Sequence, residues 1–457
     1  MNKEKSEMLG KMNVRKLLIK LAIPATAAMI VNALYNLVDT FFVARGSGTD
    51  SIGALSIAYP IQLIVLGIGL MIGVGSSSVF SRAFGRKDEE SMKRSVNTAI
   101  MLNLVLTFLI SGFSYIFLND LLVFFGATEG NIGYARDYMT VILIALIPYS
   151  LSIMFNNLTR AEGRPKIAMW SLIIGAGLNI VLDPIFIFDF GFGLGVRGAA
   201  IATGIGKTAS FIYVFHKAMQ KESSLKIDLK HIYKVDFSMI KEIVAVGLPS
   251  FTRIAMGGVL IIIVNNLIKQ YAGTEATTYQ SIYGVINRLI RFSLMPGFGL
   301  VQGMVPIVGF NFGAKLYTRL HDVIDYASKL LLGYFTFMFA FVLLFAEYLF
   351  MIFTPENNAL FISEGAYAFR IVALGFSFIT YQVILSSGYQ AMGYPVRAFI
   401  VALSRRFILF IPIAYLLTYL IGVNGIWWTF FAADIITGSL SFLVYRYEMN
   451  DLRKKMV

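Results

Sequence analysis

The chain has 457 residues, 57% of them hydrophobic and 14% charged, with a formal net charge of +13. A soluble domain carries about 25% charged residues, so no aqueous surface can be built for so long a chain; soluble folds, disordered proteins and nucleic-acid modules are excluded. Cysteine is absent, which excludes disulfides, thiol catalysis and thiolate metal sites.

Runs such as Ile61–Val74 and Leu330–Leu344 are apolar on every side, whereas an outer-membrane barrel strand alternates. About 20 apolar residues span a bilayer as a helix. The expected fold class is an all-α integral membrane protein with twelve transmembrane helices. They are predicted near 17–44, 52–80, 93–119, 133–160, 165–190, 196–220, 239–270, 276–310, 318–352, 361–391, 395–420 and 424–447. Ahead of them Met1–Lys16 is charged and has no signal-peptide core or cleavage site, so it reads as an uncleaved leader.

Polar residues inside spans cost about 2.5–3.5 kcal/mol per charge on insertion scales and need a reason. In the first span Asn32, Asn36 and Asp39 fall at i, i+4, i+7 on one helix face, with Tyr35 one turn before Asp39. Asn156 and Asn157 lie in the fourth span. The fifth holds Asn179 and Asp183 at i, i+4, with Pro184 freeing a carbonyl one turn earlier, and the sixth holds Thr203. Two roles suit such a cluster: a carboxyl that holds a proton when buried beside another, or an oxygen cage for a hard alkali cation. The bland alternative is a polar network that pins helix packing.

Short patterns then recur. Phe84-Gly85-x-Lys87 returns as Phe312-Gly313-x-Lys315, Ala161-x-Gly163-x-Pro165 as Ala391-x-Gly393-x-Pro395, and Gly195-Val196-x-Gly198 as Gly422-Val423-x-Gly425, at offsets of 228, 230 and 227. Pro24 and Pro184 meet Pro249 and Pro412 at 225 and 228. The chain is therefore divided into an N-terminal six-helix lobe at 1–220, an inter-lobe linker at 221–238 and a C-terminal six-helix lobe at 239–457. Parallel repeats of this kind are related by a pseudo-two-fold axis along the membrane normal, with the substrate site between them. The second lobe does not repeat the acids: it carries Arg253, Arg288, Arg291, Arg405 and Arg406 with one deep acid, Asp434. Arg288 and Arg291 read equally well as snorkelling side chains near a helix end. Lys207 corresponds to Asp434 at the repeat offset; a charge pair across the pseudo-axis is one reading, separate roles the other.

Basic residues crowd one side: Lys3, Lys5, Lys11, Arg15 and Lys16, then Arg82, Arg86, Lys87, Lys93 and Arg94, then Arg160, Arg164, Lys166 and the linker lysines. The positive-inside rule predicts both termini in the cytoplasm of a multi-pass plasma-membrane protein. The excess faces membrane lipid, not nucleic acid. His216, His231 and His321 are expected in loops, far apart, with no metal site. Gly206-Lys207-Thr208 and Gly193-x-Gly195-x-x-Gly198 imitate phosphate loops without the required strand, and no catalytic motif supports an embedded enzyme or a cofactor.

Leu34-Tyr35-Asn36-x-x-Asp39, Asn179-x-x-x-Asp183-Pro184, the loop Arg160-Ala161-Glu162-Gly163 and Phe84-Gly85-Arg86-Lys87 together resemble the multidrug and toxic-compound extrusion (MATE) family over the whole chain. The resemblance implies a cation-coupled antiporter that exports small organic, often cationic, compounds; nothing in the sequence demands a partner, and a monomer is expected. It implies a coupling site on Asp39, Asn156, Asn179, Asp183 and Thr203, with a helix bend at Pro24 and Tyr138 nearby; Tyr35, Asn36, Tyr138, Arg253 and Arg291 are the candidates for lining the substrate cavity. Lys207, one turn from Thr203, competes with sodium for the carboxylates and tilts the expectation toward protons. The alternative is a flippase of lipids or lipid-linked oligosaccharides from the same superfamily, with the arginines gripping a phosphate.

Overall fold

The computed structural model describes residues 3–47, 49–125, 127, 132–227, 236–353 and 359–455, and within these omits the side chains of 36, 37, 40, 44, 46, 47 and 49–58. Asn36 and His231 therefore lie outside what is described. In lipid every backbone polar group must be satisfied internally, and the described residues contain helices and no strand. In order these are α1 (Lys3–Lys11), α2 (Val14–Ser47), α3 (Thr49–Arg86), α4 (Glu89–Ile116), α5 (Leu118–Phe124), α6 (Ile132–Ala161), α7 (Pro165–Ile187) and α8 (Gly195–Ala218). There follow α9 (Phe237–Tyr271), α10 (Ala276–Gly313), α11 (Tyr317–Met351), α12 (Ala359–Ala373), α13 (Phe376–Met392), α14 (Pro395–Leu403), α15 (Phe410–Ile421) and α16 (Asn424–Lys454).

Among the described residues eleven segments are long and apolar enough to span a membrane, and the bent pair α12–α13 makes a twelfth. The protein is an all-α membrane protein of two lobes. The tenth span is not the single helix expected: it breaks by 46° between α12 and α13. Gly375 sits at the break, where a Cβ would meet Asp434 Oδ2 at 2.5 Å. The leader contains α1, and His216 and His321 lie on α8 and α11 rather than in loops.

The recurring motifs have matching geometry. Gly163 and Gly393 both adopt positive φ, 81° and 80°, and each is followed by a proline in the first turn of α7 or α14, a position where the missing N–H costs nothing. Gly85 and Gly313 lie where α3 and α10 cross. A Cβ on Gly85 would stand 2.1 Å from the Phe310 carbonyl, and one on Gly313 would stand 2.1 Å from the Arg82 carbonyl. Lys87 and Lys315 then close both helices at φ 60° and 57°. Each half thus presents its Phe-Gly-x-Lys backbone to the other.

The lobes meet along the end that holds both termini. Gly247 on α9 packs on the Met71 carbonyl of α3, and Gly75 on α3 packs on the Ile243 carbonyl of α9. Arg82 Nη2 donates to Glu242 Oε1 at 2.9 Å, and Arg94 pairs with Asp236. Helix α1 seals the same end. Leu9 is fully buried, Met8 touches Gly163 of one lobe, and Gly10 meets Phe310 of the other. Arg319 donates to the carbonyls of Leu9 and Met12 at 3.1 and 2.7 Å, neutralising the carboxyl end of α1.

Candidate functional site

The first lobe brings the carboxylates together. Helix α2 carries Tyr35 and Asp39, α7 carries Asn179 and Asp183, and α8 carries Thr203 and Lys207. Asn179 Nδ2 donates to Asp183 Oδ1 at 3.0 Å and to Thr203 Oγ1 at 3.2 Å. The carboxyl of Asp39 stands within hydrogen-bonding reach of that of Asp183, which feels the charge of Asp39. Asp183 is fully buried, and neither its Oδ2 nor the Asn179 Oδ1 accepts from an amide or hydroxyl group. Orphaned acceptors are expensive in an apolar interior; oxygens that face a second carboxyl suit a proton or a small hard cation.

A fixed cation is already present. Lys207 Nζ stands 3.7 Å from the Tyr149 ring centroid and 6.0 Å from that of Tyr35, and it attracts Asp39. An ammonium over an aromatic face is held by the ring quadrupole. Two carboxylates and one ammonium leave the ionised chamber with one net negative charge, which a single bound proton neutralises. Tyr138 on α6 lies beside Gln62 of α3 and within reach of both acids. Gln62 and Tyr149 were not anticipated: an isolated glutamine or tyrosine in an apolar run carries no spacing signal.

Asn156 does not join this group. Its Nδ2 donates to Ser152 Oγ at 3.4 Å, Ser152 pairs with Ser210, and Ser210 pairs with Ser171. Ala145 is the α6 residue level with Gly204 of α8, and Asn156 lies eleven residues beyond it, about 16 Å along the helix axis. It belongs to a separate layer of serines nearer the sealed end. Pro24 is enclosed in α2 between Ala22 and Thr26, which pack on Gly303 and Gly299 of α10.

Lys207 and Asp434 each have another partner. Asp434, 2% exposed, accepts both arms of Arg405, one of them at 3.1 Å. Arg405 and Arg406 sit on a π-helical turn, Ser404–Leu409. Arg406 Nη1 donates to the Arg253 carbonyl at 2.8 Å, and Arg253 Nη2 donates to Ser386 Oγ at 3.2 Å. Arg291 is exposed and lies near Tyr283.

The MatE family model matches residues 24–185 and again 250–416. The chain belongs to the MATE family. A multidrug export protein, MepA, of Staphylococcus haemolyticus is 25% identical over 95% of this chain and 94% of its own. That of Staphylococcus aureus strain MSSA476 is 24% identical over 97% and 96%. A solved outward-facing multidrug-resistance MATE transporter of the MOP superfamily superposes at a TM-score of 0.90, with 24% identity and 98% of each chain covered. A Pyrococcus furiosus MOP-superfamily transporter, reported with a binding pocket of reverse polarity, gives the same score, identity and coverage.

Proposed function

We propose that this MATE chain is a proton-coupled multidrug efflux antiporter that exports organic, often cationic, compounds across the cell membrane. The export function of its MepA relatives supports the substrate class. The observation that carries proton coupling is the chamber itself: Asp39 faces Asp183 while Lys207 already fills the place of a metal cation beside Asp39.

In this reading a proton entering from outside takes up the orphaned oxygens and relieves the repulsion between the two acids. The binding energy differs between chamber geometries, so it biases one geometry over the other. Helix α2 rearranges near Pro24, and lobes 1–220 and 239–457 rock about the linker 221–238. Both termini face the cytoplasm, where the basic residues lie, and the protein works as a monomer without a cofactor. The seam between the lobes is closed here at the end that holds α1.

Purified protein in liposomes, with proton and sodium gradients imposed separately, tests this. A proton gradient alone should drive uptake of a cationic dye, and Asp39→Asn should abolish drug-stimulated proton exchange while dye binding and expression persist. Exchange driven equally by sodium, or unaffected by Asp39→Asn, overturns the assignment.

A further inference from the structure

The second lobe contains a group of hydrogen-bond donors that the coupling chamber does not use. Arg253 on α9 and Arg406 on the π-helical turn lie together, with Arg405 and Tyr283 alongside. Asp434 is committed to Arg405 through both oxygens. Acids elsewhere in this lobe have partners of their own, among them Glu242 with Arg82, Glu347 with Arg370, Glu448 with Arg397 and Glu364 with Tyr279. Among the described residues no carboxylate acts on Arg253. Arg405 and Arg406 share the single carboxylate of Asp434 and Arg253 has none, so three guanidiniums on membrane-spanning helices outnumber their counter-charge, and Arg253 and Arg406 are both half-buried, with surface left over for a ligand.

A second observation points the same way. Trp427 is fully buried, its indole N–H has no acceptor, and its ring packs 6.5 Å from Tyr283, which lies in the field of Arg406 and Arg291. Guanidinium and indole are donors only. Ser386 takes one of the five N–H groups of Arg253, and the remainder ask for an acceptor that carries negative charge. The π-helical turn re-aims two consecutive side chains in a way that a regular helix does not, and such turns frequently mark functional sites.

From this placement we infer that the second lobe holds an oxyanion site, built on Arg253 and Arg406, which takes the carboxylate, sulfonate or phosphate of the transported compound. Cargo would include zwitterions and organic anions, gripped through the anionic group in one lobe while the other lobe manages the coupling ion. The inference rests on the efflux reading only in making the occupant cargo. An anionic lipid headgroup offers the same chemistry and is the competing source.

Rhodamine 110 and rhodamine 123 separate the possibilities, since they share one xanthene and differ as free carboxylate and methyl ester. Binding is read by fluorescence anisotropy on the purified protein without any gradient, so failure of coupled transport leaves the result intact. In nanodiscs of phosphatidylcholine the acid should bind about tenfold more tightly than the ester, equivalent to about 1.4 kcal/mol, as one charge-assisted bidentate contact would give. Arg253→Ala should bring the ratio close to one while rhodamine 123 binding persists, and Arg253→Lys should restore part of it. Arg406→Lys serves as the second variant, with the ratio lowered because a point charge replaces a planar fork. The preference should survive in phosphatidylglycerol nanodiscs. Equal binding of the two dyes by the parent protein, a ratio that neither arginine variant moves, or a preference erased by phosphatidylglycerol alone would each overturn the proposal, the last by assigning the site to lipid.

Discussion

Replacing Gly247 by alanine would put a methyl group into the seam between the lobes. The added Cβ would lie 1.9 Å from the Met71 carbonyl and 2.6 Å from its carbon. Backbone, unlike a side-chain tip, cannot swing aside, so α9 and α3 must part by more than 1 Å before the contact reaches 3.0 Å. Overpacking of this kind costs about 1–3 kcal/mol. All of it falls on the state in which the seam is shut, so the ratio of open to shut seams should rise by about 5- to 150-fold. The chain has no cysteine, which allows a single probe without background. Ser81 is 1% exposed and its Cβ lies 2.7 Å from the place a Cβ would take on Gly309 across the seam. In a Ser81→Cys chain, Gly247→Ala should accelerate labelling by a membrane-impermeant maleimide from the side of the termini at least fivefold. Gly112→Ala and Gly333→Ala, where nothing lies within 4 Å, should leave it unchanged. A labelling rate in Gly247→Ala within twofold of the parent, in protein of unchanged melting temperature, would refute the seam argument.

Lys207→Gln removes the tethered cation beside Asp39, so sodium should begin to stimulate dye efflux in liposomes where the parent is indifferent to it. Asp236 caps α9 by accepting from the Met239 N–H at 3.1 Å and pairs with Arg94, which together hold its carboxyl below the ordinary aspartate value. Asp236→Ala should cost about 1 kcal/mol and Asp236→Asn less, since the pair with a half-exposed arginine adds at most about 1 kcal/mol. Because the folded-state value is depressed, the advantage of Asp236 over Asn is complete above the ordinary aspartate range and fades as pH falls through the depressed value; thermal melts from pH 7 down to pH 3 read this. Glu162 is fully buried and accepts from Ser223 Oγ at 3.1 Å, from the Ser224 N–H and from Arg164 at 3.3 Å. Burial pushes its carboxyl up despite these partners. Glu162→Gln should release the start of the linker, seen as faster tryptic cleavage after Lys221 and Lys226.

The residues that spacing could place were those on one helix. Asn179 and Asp183 at i, i+4 do bond each other, and Tyr35 and Asp39 share a face toward the same chamber. Depth across neighbouring helices was not legible in the same way. Asn156 has the right residue type in the right span, yet antiparallel packing sets it some turns away from Asp183, and only the contacts of Ala145 and Ser152 reveal this. Charge partners were equally hidden. The repeat offset aligned Lys207 with Asp434, but a lysine can rest on a tyrosine ring and an aspartate can turn to an arginine on a π-helical turn, and neither choice leaves a mark on composition. The break at Gly375 follows from a neighbour 59 residues away, beyond the reach of local pattern.

Helix α2 answers to both halves of the molecule. Two residues separate it from α1, which Arg319 fastens to the second lobe, and its own Arg15 lies over the Tyr326 ring there at 5.5 Å. Its far half ends among the acids of the first lobe. Its short arm is thus anchored in one body, it crosses α10 beside Pro24, and its long arm carries Asp39. Under the proposed mechanism, a small movement of the carboxylate would act as torque on the opposite body through continuous backbone, with no need for a relay of side chains.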